Sequence, residues 1–132
     1  MNKFTVVFDK ADRVEGSLNL CPEVNLYTGK KEFKEKFGGL TSLEEDLLVV
    51  GAALFAADIA TKRGQNHNFI RGLELTIPVV NLAVFENVLD DIRYALHLLS
   101  SDAWNIKFTQ RAGAPEIAKK RKTKKSGKVL LF

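Results

Sequence analysis

The longest uninterrupted apolar run in the chain is Leu47–Ala57, which has no polar side chain. Ser42 and Glu45 stand ahead of it in capping-box spacing, and Gly64 follows it as a residue suited to ending a helix. Eleven such residues are too few to cross a bilayer, which needs about 20. A helix that is apolar on every side and does not span a membrane is expected to be enclosed by protein. The pattern therefore predicts a core helix over Leu47–Ile59 that is the least exposed helix of the domain.

Four stretches favour strands. Phe4–Phe8 is β-branched and aromatic, and Ser17–Leu20 follows it after a polar, turn-like segment, so the two predict an N-terminal hairpin. Ile70–Val79 alternates between apolar and polar positions, which is typical of a strand with one buried face. Residues 104–108 alternate in the same way and predict a last strand.

Two further stretches favour helical structure. Residues 83–100 carry apolar side chains at steps of three and four, which predicts one amphipathic helix. Residues 30–37 suggest a loop or a short surface helix, with Phe33 and Phe37 four positions apart. The elements follow in the order β-β-α-β-α-β. The predicted fold class is therefore α+β, a two-layer domain with two helices, one buried and one amphipathic, packed on an antiparallel or mixed sheet.

The length and composition are those of one ordinary domain. A chain of 132 residues with 45% hydrophobic residues can bury a core, which excludes a disordered chain. Cys21 is the single cysteine, so no internal disulfide forms, and no metal-ligand spacing surrounds it. The N-terminus has no uninterrupted apolar segment of the kind found in secretory signals. The default expectation is a cytoplasmic protein that does not bind a membrane.

The net charge of +4 comes from one segment near the C-terminus. Seven of the 20 basic residues lie within residues 118–128, which contain no acidic residue. The rest of the chain holds 13 basic and 16 acidic residues, so it is slightly acidic. With glycine or proline at positions 113, 115 and 127, this composition predicts an α+β domain over residues 1–111 and a basic linker over residues 112–127. The apolar residues 128–132 then form either a last strand of the same sheet or the first strand of a second domain.

Several stretches of the chain together carry a resemblance. They are Asp46–Leu48 with Asp58 and Arg63 in the first long helix, Arg71–Val79 in the next strand, Leu98–Trp104 after the second helix, and the terminal GKVLLF. Together they resemble the N-terminal domain of 7-cyano-7-deazaguanine synthase-like (QueC-like) PP-loop ATP pyrophosphatase proteins of bacterial defence systems. Two positions depart from the pattern of that family: Ser100–Ser101 replaces a Thr-Gly pair, and Phe85 stands where a tryptophan is expected.

The resemblance implies that residues 128–132 are the first strand of a PP-loop domain whose SGGxDS phosphate loop is absent from this chain. Residues 1–111 would then be a non-catalytic accessory domain that docks a partner or a substrate. Its partners would be the C-terminal PP-loop domain and a further protein. ATP is implied as the cofactor of the missing domain, and no cofactor is implied for this chain. The full-length parent would be an ATP-dependent synthase or ligase in anti-phage defence.

Five residues are candidates for structural or docking roles: Asp58, Arg63, Arg71, Asp102 and Trp104. Asp58 lies toward the C-terminal end of the predicted core helix, where the helix dipole disfavours a carboxylate, so we expect it to pair with Arg71. The positions of Asp102 and Trp104 favour a turn residue and a core aromatic residue. The sequence contains no nucleophile spaced with a base and no glycine-rich phosphate loop. It therefore assigns no catalytic, cofactor-binding or metal-binding residue.

Two other functions are consistent with the sequence. The basic segment 119–125 could contact nucleic-acid phosphates, but no aromatic residue is interleaved with its charges, which favours a solvated linker. Nucleic acid is therefore not the expected partner. The remaining alternative is a stand-alone interaction domain without an enzymatic context.

Overall fold

The computed structural model describes residues 2–61, 72–100 and 102–114. Its strands are β1 (Asn2–Val6), β2 (Leu18–Leu20), β3 (Gly72–Val79) and β4 (Ala103–Gln110). Its α-helices are α1 (Lys30–Phe37), α2 (Ser42–Ala60), α3 (Leu82–Asn87) and α4 (Leu89–Ser100), and a short 3₁₀ helix at Lys10–Asp12 lies between β1 and β2. The α+β class is confirmed, with four helices in place of the two predicted.

All four strands are parallel, in the spatial order β2-β1-β3-β4. The prediction of an antiparallel or mixed sheet is therefore wrong, and so is the N-terminal hairpin. The segment between Val6 and Leu18 is long enough to carry a 3₁₀ helix, and it returns the chain to the end of the sheet where β1 began. The amide of Val7 donates to the carbonyl of Leu20 at 2.8 Å, which extends the parallel pairing of β1 with β2.

The core lies on one face of the sheet. Side chains of β3 alternate: Leu73, Leu75, Ile77 and Val79 are fully buried, whereas the residues between them are partly exposed. Helices α2, α3 and α4 contribute to the same core. Parallel strands are usually covered on both faces and read as continuous apolar runs. Here the helices leave the other face of β3 partly exposed, so a parallel strand keeps the alternation that is more typical of antiparallel sheets.

Helix α2 contributes more buried residues than any other helix of the described chain, but it is not enclosed. Its buried positions are Asp46, Val49, Val50, Ala53 and Ala57, which form one stripe against the sheet. The two fully buried alanines allow the helix axis to lie close to the strands. Apolar residues on the opposite side remain exposed. The prediction of a core helix buried on every side is therefore wrong.

The start of α2 lies one residue earlier than its predicted cap. Thr41 is the N-cap, and its hydroxyl accepts from the amide of Glu44 at 3.1 Å while the Glu44 carboxylate accepts from the amide of Thr41 at 2.9 Å. This is a capping box in which Ser42 and Glu45 do not take part. Ser42 instead donates to the carbonyl of Ala114 at 2.9 Å.

The predicted amphipathic helix over residues 83–100 is two helices, α3 and α4, which are separated at Val88. Phe85 of α3 packs on Phe108 of β4 with ring centres 5.2 Å apart. Residues 30–37 form the surface helix α1, which buries no residue. The ring centres of Phe33 and Phe37 lie 4.7 Å apart on this helix.

The described chain ends in a segment, residues 111–114, that crosses from β4 to the start of α2. The amide of Arg111 donates to the carbonyl of Val79 at 2.8 Å, and Ala114 receives the bond from Ser42. The basic run 119–125 and the apolar residues 128–132 lie outside the described residues. Among the residues described, no helix has the length and apolar character needed to span a bilayer.

Candidate docking surface

The exposed side of α2 carries one row of apolar positions four residues apart, which we call the α2 ridge: Leu47, Gly51, Phe55 and Ile59. The side chains of Leu47, Phe55 and Ile59 are 55%, 67% and 63% exposed. Positions i and i+4 are neighbours on a helix surface, so the four positions lie in one row along the helix. Gly51 is exposed as well, and a Cβ built there would meet no atom within 4 Å. The ridge therefore has a gap at its second position.

A groove of about 270 Å³ lies beside the ridge, between α2 and the C-terminal end of α4. We call it the α2–α4 groove. Its lining is largely apolar, with one carboxylate and one hydroxyl: Leu54, Phe55, Asp58, Leu96, Leu99, Ser100 and Trp104. Leu99, at its margin, is 84% exposed. Clustered exposed apolar side chains of this kind mark protein contact sites.

The Ser100 hydroxyl holds one wall of the groove in place. It donates to the carbonyl of Leu96 at 2.8 Å and accepts from the indole Nε1 of Trp104 at 3.2 Å. The amide of Asp102 also donates to it at 3.2 Å. These bonds fix the Trp104 ring against the last turn of α4. Trp104 is half-buried: it packs against the core and also lines the groove.

The structure brings three of the five predicted residues to this region. Asp58 and Trp104 line the groove, and Asp102 is buried beside it. Asp58 lies near the C-terminal end of α2, as predicted, and is exposed there. Arg63 and Arg71 lie outside the described residues, and with them the predicted pairing of Asp58 with Arg71.

A buried polar residue with four hydrogen-bond donors around it, Asp46, was missed as a site residue. Its carboxylate is fully buried and accepts from the amides of Val80 and Asn81 at 3.0 and 2.8 Å. The Asn81 side chain and the Arg111 guanidinium donate to it at 2.9 and 3.3 Å. A signal existed in the sequence, because Asp46 precedes Val50, Ala53 and Ala57 at helical spacing on what proved to be the buried stripe. A buried carboxylate requires donors.

The charged side chains near Asp46 form one network of ion pairs. Lys30 contacts Glu45 at 2.7 Å, and Arg111 lies 3.7 Å from Glu45 while its guanidinium carbon stands 4.2 Å from the centre of the Phe8 ring. Burial raises the pKa of Glu45, but the hydrogen bond and charge of Lys30, with the charge of Arg111, outweigh burial and hold that pKa below its ordinary value. The two basic and two acidic side chains neutralise one another, so we assign this network to stability of the fold.

A second cavity, the sheet-edge cleft, of about 500 Å³ opens at the carboxyl ends of β1, β3 and β4. The chain leaves β1 toward β2 and leaves β3 in the opposite direction toward β4, which makes this a topological switch point, where open parallel sheets bind ligands. The polar lining includes the hydroxyls of Thr5, Thr76 and Thr109 and the Asp12 carboxylate. Arg111 also lines the cleft, but its guanidinium is paired with acids. Among the described residues, the lining includes no histidine and no cysteine.

Within residues 2–61, 72–100 and 102–114, no group of three or more His, Cys, Asp and Glu side chains is placed to hold a metal ion. Comparison with known proteins identified no matching family, no similar curated protein and no similar solved structure.

Proposed function

We propose that this chain is a non-catalytic docking domain whose α2–α4 groove receives apolar side chains of another protein domain. The observation that carries the proposal is the exposure of Leu99 and Phe55 on the two sides of a groove already lined by Leu54, Leu96 and Trp104. Burying such a surface releases about 25 cal/mol of free energy per Å² of apolar area. A partner that covers the groove would therefore be held mainly by the hydrophobic effect.

The groove is open to the surface, which favours protein side chains over an enclosed small molecule. Small-molecule pockets typically enclose about 300–1,000 Å³ and bury most of the ligand. The α2–α4 groove holds about 270 Å³ and is open to the surface.

The resemblance noted in the sequence supplies the partner for this proposal, a C-terminal PP-loop domain that uses ATP. In that arrangement the synthase or ligase activity belongs to the PP-loop domain, in an anti-phage defence context. The apolar contact surface of the described residues supports an accessory role. Docking of a further protein or of a substrate in the sheet-edge cleft is the second form of the same proposal, favoured by the position of that cleft at the switch point.

Site-specific cross-linking in the full-length parent protein tests the groove. We expect a photoreactive amino acid at position 99 to cross-link to a domain that contains an SGGxDS loop, in the same polypeptide or in another. Position 24 is the matched control, because Val24 is also 84% exposed but lies in the turn after β2. Equal cross-linking from both positions, or none from position 99, would contradict docking at the groove.

A separate measurement tests the absence of catalysis. Titration calorimetry of ATP into residues 1–132 should show no binding in the micromolar range, because no nest of backbone amides for a pyrophosphate is provided without the phosphate loop. ATP binding at micromolar concentrations would overturn the non-catalytic assignment.

A further inference from the structure

The sheet-edge cleft continues onto the face of the sheet that the helices leave open. Its volume of about 500 Å³ lies within the range of pockets that bind small molecules. A second cavity, of about 190 Å³, shares Thr5 and Thr76 with it and extends along β1 and β3 toward Lys3 and Glu74. We propose that the sheet-edge cleft binds a neutral polyhydroxylated molecule, a sugar. This inference rests on the second form of the proposed function, since it names the class of substrate for that cleft.

Three threonine hydroxyls lie along the cleft on neighbouring strands. Thr5 and Thr76 are partners in the parallel pairing of β1 with β3, so the two positions lie about 4.8 Å apart on one face of the sheet. Thr109 pairs with Pro78, two positions beyond Thr76, so it lies on the same face about 8 Å from Thr76. A ligand that bonds to all three hydroxyls carries several polar groups spread across it, which is the pattern of a sugar.

The polar groups of the cleft are available to a ligand. Within the described residues, the hydroxyls of Thr76 and Thr109 take part in no hydrogen bond, and the Thr5 hydroxyl shares one with the Ser17 hydroxyl at 2.7 Å. The Gln110 side chain donates from Nε2 to three backbone carbonyls, which leaves its Oε1 as an acceptor. A hydroxyl can donate one hydrogen bond and accept others, so this set of groups suits a partner that both donates and accepts.

The charges of the lining disfavour a charged ligand. The Asp12 carboxylate makes no ion pair within the described residues and would repel an anion such as a phosphate. The Arg111 guanidinium is already paired with Glu45 and Asp46. It also stands 4.2 Å from the centre of the Phe8 ring, where it covers one face of that ring and repels a ligand cation. A neutral ligand avoids both repulsions, and its hydroxyls can donate to the Asp12 carboxylate.

Apolar side chains flank these polar groups. Phe8, which is 40% exposed, and the partly exposed Pro78 both line the cleft. A sugar presents carbon–hydrogen faces as well as hydroxyls, so it can contact apolar and polar side chains at once. The mixed lining therefore fits a sugar better than it fits a hydrocarbon ligand, which would leave the threonine hydroxyls without partners.

An NMR titration of the 132-residue chain tests the cleft. The probes are D-ribose, D-glucose, D-galactose and cellobiose, each added separately up to about 50 mM, where a millimolar complex is populated. We expect at least one of these sugars to shift the amide signals of residues 5, 76 and 109 in a saturable manner. Inorganic phosphate at the same concentration should leave these signals in place.

A variant that combines Thr76→Val with Thr109→Val removes two hydroxyls from the cleft. Valine is favoured in strands, so the fold should be intact by circular dichroism, while the dissociation constant for the sugar should rise by at least about tenfold. Tyr94→Phe is the matched control, because it removes a hydroxyl from a 66% exposed side chain of α4 outside the cleft, and it should bind the sugar as the wild type does.

Three results would overturn the inference. They are the absence of a shift with every sugar, unchanged sugar binding by the folded valine variant, and a shift of the same signals by phosphate that is as large as that by any sugar. Cross-linking from position 99 to a PP-loop domain would leave the proposed function standing in those cases, so the two failures are distinguishable.

Discussion

The Asp46 carboxylate accepts a hydrogen bond from the Arg111 guanidinium at 3.3 Å, although the two residues are 65 positions apart in the sequence. Asp46 is fully buried in the first turns of α2, and Arg111, which directly follows β4, is 20% exposed. The same carboxylate accepts from the amides of Val80 and Asn81 after β3. One side chain therefore joins the start of the main helix to the ends of two strands. The segment that crosses from β4 to α2 is anchored at the same place.

Replacing Asp46 by alanine should destabilise the domain by about 3–5 kcal/mol, because it leaves buried donors and one guanidinium without an acceptor. Urea unfolding followed by circular dichroism measures the change. Asp90→Asn is the control, since that carboxylate is 95% exposed and lies 3.4 Å from Arg93 in an exposed ion pair; no measurable change is expected. A loss of less than about 1 kcal/mol for Asp46→Ala would show that the network does not hold the fold together.

Gly113→Ala should destabilise the domain more than Gly16→Ala. Both glycines have positive φ, +150° and +85°, so both substitutions strain the backbone. A Cβ at position 113 would also lie 2.9 Å from Cγ2 of Val80, whereas at position 16 it would meet no atom within 4 Å. The steric difference should appear as about 1–3 kcal/mol in the free energy of unfolding. Equal losses would indicate that residues 111–114 shift without consequence.

Leu75→Ala should destabilise the domain much more than Phe55→Ala, although both residues are large and apolar. Leu75 is fully buried at the centre of β3, so its truncation should leave a cavity and cost about 2–5 kcal/mol. Phe55 lies in the longest apolar run, but its side chain is mostly exposed, so its truncation should cost much less. Thermal unfolding in dilute solution makes the comparison. A cost for Phe55→Ala equal to that of Leu75→Ala would mean that α2 is enclosed on its outer side.

Acidification should remove the contribution of Glu45 to stability. Its pKa in the folded state is held below the ordinary value of 4.5, so the carboxylate favours folding at pH values above about 4.5. That contribution is lost as the pH falls through the folded-state pKa. The difference in unfolding free energy between the wild type and Glu45→Gln should therefore be largest near neutral pH and shrink in acid.

Lys30→Met is the complementary variant, because Lys30 supplies the strongest interaction that lowers the pKa of Glu45. In this background, Glu45→Gln should have a smaller effect near neutral pH than it has in the wild type. An effect of Glu45→Gln that does not depend on pH would exclude a charge-based role for the carboxylate.

Periodicity in the sequence was sufficient to locate the main elements. Positions 73, 75 and 77 alternate with polar residues, and β3 forms there with those side chains buried. The longest apolar run lies within α2, and the alternating segment 104–108 lies within β4. These features depend on the spacing of neighbouring side chains, which is local information. The α+β class follows from the same spacing.

Local spacing does not determine how strands are joined or which side of a helix faces the sheet. β1 and β2 are parallel because the chain between them returns across the sheet before β2 begins, and alternation within a strand is the same for either direction. α2 is apolar on every side, so its sequence does not distinguish Ala53 and Ala57, which touch the sheet, from Phe55 and Ile59, which do not. The role of Asp46 likewise depends on Arg111 and on the β3–α3 turn, which only the packed chain brings within hydrogen-bonding distance. Strand direction, the exposed ridge and the buried carboxylate network were thus decided by tertiary structure, because each depends on contacts between segments that are distant in the sequence.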